Sequence, residues 1–159
     1  MKRLAGVLLA CTLGAAAPGV HADPYEADPD LAARDEDYAA AMKAIGARDW
    51  RTAVAKLELA ERRNPDSADL HNFLGFSHRN LKEFDLAFKH YKRALELEPR
   101  HRGAHEYIGE TYLLTGDLGS AEKHRDLLKG ICLLGCEELA DLEKAIAEYR
   151  KKPAANPRT

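Results

Sequence analysis

Residues 68–101, ADLHNFLGFSHRNLKEFDLAFKHYKRALELEPRH, carry two apolar series at helical spacing. Leu70, Phe73, Leu74, Ser77 and Leu81 recur every three or four positions, as do Phe84, Ala87, Phe88, Tyr91 and Leu95, so the stretch predicts two amphipathic helices. Asn80-Leu81-Lys82-Glu83 forms the turn between them. Gly75 and Ala87 are small where the helices should cross, which lets their axes approach, and Pro99, lacking an N–H, ends the second helix. Shifting the chain on itself by 34 residues superposes Ala53, Ala87 and Ala121; Pro65 and Pro99; Leu74-Gly75 and Ile108-Gly109; and Trp50, Phe84 and Leu118. A fixed period of this kind marks stacked helical hairpins. One hairpin cannot bury both of its faces, so at least three are needed for a continuous core.

The copy at 68–101 resembles a tetratricopeptide repeat, with Leu74-Gly75, Ala87, Tyr91, Ala94 and Pro99 at the family's spacing. The copy at 34–67 has Ala40-Ala41 where Leu-Gly is usual but keeps Ala53, Ala60 and Pro65. The copy at 102–135 keeps Ile108-Gly109, Tyr112 and Ala121, then places Arg125, Leu128 and Leu133 where an aromatic, Ala and Pro are expected. The resemblance implies an all-α helical-hairpin solenoid of about three repeats. A further helix over 136–151, with Leu139, Leu142, Ile146 and Tyr149 on one side and Glu137, Glu138, Asp141, Glu143 and Lys144 on the other, suits the polar-faced cap of a solenoid end. Together 34–151 make the repeat domain.

The flanks are different. Residues 1–22, MKRLAGVLLACTLGAAAPGVHA, combine Lys2 and Arg3 with an apolar run and end in Val20-His21-Ala22, as a secretory signal cleaved near Ala22 does. That predicts a periplasmic or secreted protein starting at Asp23. Leu8-Leu9-Ala10-Cys11 also resembles a lipobox, so a lipid anchor at Cys11 is the rival reading. The apolar run of 1–22 is short and interrupted by Gly14, Pro18 and Gly19, and no stretch downstream approaches the roughly 20 apolar residues of a spanning helix. Residues 23–33, rich in Pro and acids, read as a flexible leader, and 152–159 as a frayed tail. Removing 1–22 leaves 137 residues with 22 basic and 26 acidic side chains, a net charge of −4, which disfavours a nucleic-acid partner.

The sequence holds no Gly-rich phosphate loop, HExxH, GxSxG or kinase-like set, so no catalysis and no cofactor are expected. Among the seven histidines, His71 and His78 are seven apart and His101 and His105 four apart, with no cysteine nearby; solvated or capping roles are expected and no metal site. The run Lys89-His90-Tyr91-Lys92-Arg93 reads as a solvated helix face interleaved with core positions. In the repeat family the first helix of each hairpin lines a concave groove for a peptide or another protein. By position the resemblance assigns Tyr38 and Met42 of the first copy, Asn72, Phe76, Arg79 and Asn80 of the second, and Glu106, Tyr107 and Glu110 of the third to that groove. Phe76 is either a partly exposed anchor or a residue packed on the next hairpin. Tyr38, Met42 and Phe73 stand where the chaperone-binding subset has its carboxylate clamp, so a C-terminal carboxylate is not the expected ligand.

Gly130-Ile131-Cys132-Leu133-Leu134-Gly135-Cys136 lies where the third copy departs from the repeat. Cys132 and Cys136 fit a disulfide, with Gly135 freeing the backbone, if their Cα atoms come within about 4.4–6.8 Å. A soft-metal pair, a redox pair favoured by the start of the following helix, and two free thiols are the alternatives. The chain thus reads as an exported module that binds a protein or peptide, with a thiol-based metal or redox carrier as the alternative.

Overall fold

A computed structural model describes residues 28–151, which form α1 (Pro29–Arg34), α2 (Glu36–Gly46), α3 (Trp50–Glu61), α4 (Ala68–Asn80), α5 (Phe84–Leu97), α6 (Arg102–Leu114), α7 (Leu118–Ile131) and α8 (Glu137–Lys151). The helices begin where short polar side chains accept from free backbone N–H groups. Asp35 takes those of Asp37 and Tyr38, Ser67 that of Leu70, Asp49 that of Thr52 and Asp117 that of Ser120; the His101 Nδ1 accepts from Ala104.

Pairs α2–α3, α4–α5 and α6–α7 pack as antiparallel hairpins whose turns share one geometry. At the same step of each turn Arg48, Lys82 and Gly116 take positive φ of 57°, 64° and 87°. The next N–H, of Asp49, Glu83 or Asp117, then reaches back to the carbonyl of Ala44, His78 or Tyr112 at 2.9, 3.0 and 2.8 Å, which closes the first helix in the manner of a Schellman end.

Stacking puts α4 against α3 and α6 against α5, and a continuous core runs through the first two hairpins into α6. Gly75 explains how closely α4 approaches α5: a Cβ there would stand 2.6 Å from the ring of fully buried Tyr91. Gly109 plays the same part for α8, which lies against α6 and α7 with Leu142 and Ile146 buried among Leu113, Ala121 and Leu128. A Cβ on Gly109 would come within 2.8 Å of Leu142.

The leader needs correction. Of residues 23–33, Asp28 caps α1 and Pro29 starts it, the position where a missing N–H costs nothing, and Leu31 is fully buried in the first cluster. Leu31, with Ala32 packed beside it, docks the segment on the first hairpin. The signal region 1–22, Cys11 and the tail 152–159 lie outside the described residues. Among those described, no helix is long and apolar enough to cross a membrane.

Candidate functional site

The expected groove residues divide into three groups. Tyr38 is not at a surface: it is fully buried, edge-on to Phe73 with ring centres 6.3 Å apart, and its hydroxyl accepts the Asp28 N–H at 3.3 Å. Helix α1, which the sequence reading took for leader, holds it there. Met42 is partly buried against the same core.

The second group is a wall across the middle of α4 and α6. Phe76 is only 4% exposed, which corrects the partly exposed anchor: it packs edge-on to Trp50 of α3 (5.5 Å) and against Tyr107 of α6 (5.0 Å). The Arg79 guanidinium lies 5.0 Å from the Phe76 ring centre and 5.3 Å from that of Tyr107, and it pairs with Glu110. Cation–π contact and a carboxylate together replace the water this buried charge has lost.

The third group lines clefts on either side of that wall. Asn72, Glu106 and Tyr107 join Phe73, Asp69, His101, Arg102 and Glu138 around a mostly polar cleft of about 220 Å³. On the other side Arg79, Asn80 and Glu110 join Leu113, Leu114 and Tyr149 around a more apolar space of about 460 Å³. Two features of the first cleft follow from burial. The Asn72 Oδ1 is buried with no hydrogen-bond partner, which is rare in native proteins and costs stability. The Glu106 carboxyl is pushed up to about 9, first by burial and then by the nearby carboxylates of Glu110, Asp141 and Glu138, against a smaller opposing pull from Arg79. At neutral pH it is an uncharged acid that can donate a hydrogen bond.

Among the described histidines, four depart from the expected solvated role and one takes the expected capping role. His71, His78, His90 and His105 are buried, and His101 is the capping one. The fold gathers Glu61 of α3, His71 of α4 and His90 of α5, so the basic run 89–93 holds two buried members, His90 and Tyr91. Sequence spacing within single helices could not show this. The signal was in the repeat, since the same shift of 34 superposes His71 on His105 and His90 on His124.

At the α7–α8 junction the Cys132 and Cys136 sulfurs are 2.11 Å apart and their Cα atoms 5.6 Å apart. Gly135 takes φ 87°, the freedom this short closure requires. Leu133 and Leu134, at 85% and 103% exposed, stand at its tip.

Residues 68–101 match the family model for the tetratricopeptide repeat. The human protein O-mannosyl-transferase TMTC3 is 29% identical over 83 residues, which is 52% of this chain and 9% of that protein. This chain therefore spans under a tenth of that relative's length. Among solved structures, the TPR2B domain of yeast Sti1 in its pHsp70 complex superposes with a TM-score of 0.69 at 15% identity, over 78% of this chain and 99% of the other. The chain therefore carries a tetratricopeptide repeat at 68–101 within an all-α, tetratricopeptide-type helical-hairpin solenoid.

Proposed function

We propose that this protein is an exported, non-catalytic scaffold that binds an extended segment of another protein along α4 and α6. The observation that carries the reading is the buried Asn72 Oδ1 without a partner beside uncharged Glu106 in one cleft. An extended peptide brings backbone N–H groups and carbonyls in alternation. Asn72, once a side-chain rotation uncovers its Oδ1, supplies an acceptor for the former and protonated Glu106 a donor for the latter, in a cleft whose other lining, Asp69, His101, Arg102 and Glu138, is mostly polar. The Sti1 domain, similar in fold, is a precedent for a protein partner, and nothing closer is drawn from it.

The test is affinity capture from the exported fraction with wild-type protein and with Asn72→Ala. Asn72 is 4% exposed, so the truncation lowers the melting temperature through lost packing; compared at a temperature where both proteins are folded, the variant should capture the same partner about tenfold or more weakly. Undiminished capture by folded Asn72→Ala would move the binding surface elsewhere. The intact mass of the exported protein tests the proposed address: a chain starting at Asp23 supports cleavage near Ala22, and a lipid mass on Cys11 supports the anchor. In an oxidising compartment Cys132 and Cys136 are bridged, which leaves no thiolate for the carrier alternative.

A further inference from the structure

We propose that Glu61, His71 and His90 form a binding site for a divalent cation of the Zn²⁺ class that clips α3 to the α4–α5 hairpin. The two Nδ1 atoms are 3.3 Å apart, and the Glu61 Oε1 lies 3.5 Å from that of His71 and 4.0 Å from that of His90. Ligands at about 2.0–2.1 Å in a tetrahedron are roughly 3.3–3.4 Å from one another, so these three atoms nearly form one face of it. The fourth position is left to water.

The surroundings fit as well. The His71 Nε2 lies 2.9 Å from the Pro65 carbonyl, to which it donates, so its Nδ1 carries the lone pair and faces the other two groups. Such a second contact commonly orients a metal-ligating histidine. His90 is stacked with His71 and with His78, at 5.6 and 5.5 Å between ring centres, which fixes the orientation of its ring. Glu61 is a third exposed, which opens a path from solvent.

The next hairpin contains its own control. His105 and His124 repeat the arrangement one period on, with Nδ1 atoms 2.9 Å apart and His105 Nε2 3.0 Å from the Pro99 carbonyl. The position 34 residues after Glu61, however, is Leu95. There a simple hydrogen bond between the two Nδ1 atoms accounts for their approach. At the first pair the added carboxylate sits where such a bond has no use for it and a cation does.

The experiment is zinc titration of the disulfide-intact protein by calorimetry, followed by melting and by Co²⁺ absorption. The expected result is one ion per chain, a Tm that climbs with zinc concentration, and the visible bands of four-coordinate Co²⁺. Glu61→Leu, which copies the second pair, should weaken binding at least about tenfold while retaining the helical spectrum; His124→Gln should bind as wild type. In a Cys132→Ser/Cys136→Ser background the result should be unchanged. No heat and no Tm shift overturn the proposal. So does unaltered binding by Glu61→Leu, or loss of binding in His124→Gln or in the cysteine-free background.

Discussion

Gly75 shows how a single side chain sets the fold's dimensions. With Tyr91 fully buried beneath it and 2.6 Å from any Cβ, substitution forces the ring or the helix to move. Gly75→Leu should therefore cost about 1–3 kcal/mol or more by overpacking; a chemical-denaturation curve like that of wild type would place the α4–α5 crossing elsewhere. Glu106 is the opposite case, a residue the fold tolerates at a cost. Its folded pKa of about 9 lies above the ordinary 4.5, so the native state holds a proton that the unfolded chain gives up. Stability from this group is intact below about pH 4.5 and erodes as the pH rises toward about 9. Glu106→Gln should flatten that decline, gaining most over wild type near pH 9, as denaturation midpoints across the series would reveal; equal slopes would mean the carboxyl is charged in the fold. Gly75 was legible in the sequence because a small residue repeats at Gly109. The fate of Phe76 was not, since spacing says which face a residue takes and not how closely the next hairpin covers it.

At the scale of elements, the three hairpins were legible in the shift of 34 because Ala53, Ala87 and Ala121 mark the same close contact. Helix α1 was hidden by its composition: Asp28, Pro29 and Asp30 look like leader, yet they cap a short helix from which Leu31 is buried in the core and Ala32 packs against it. The histidine pairs escaped for another reason. Their partners sit on neighbouring helices, and only comparison between repeats, not spacing within one, brings His71 and His90 together. The turns offer a direct check on repeat equivalence. Lys82 occupies a left-handed conformation that the third turn gives to Gly116, and a side chain there costs roughly 1–2 kcal/mol. Lys82→Gly should raise stability by up to about 1 kcal/mol after the added freedom of the unfolded chain is counted; a fall in Tm would show that the lysine side chain, not the backbone, holds the turn.

Over the whole molecule, stacked hairpins leave α4 and α6 side by side, and the wall of Phe76, Arg79 and Tyr107 divides what lies between into a polar cleft and a more apolar one. Repetition supplies the surface, and the departures from repetition give it an end: Leu133 in place of proline, the cysteine closure, and α8 folded back over Gly109. Binding to that surface is the central claim, and hydrogen–deuterium exchange of the protein alone and with its captured partner tests it most directly. Added protection should concentrate in α4 and α6, around Asn72 and Glu106, and Asn72→Ala should lose it. Protection confined to α3, α5 and α7, or to the Leu133-Leu134 tip, would contradict it.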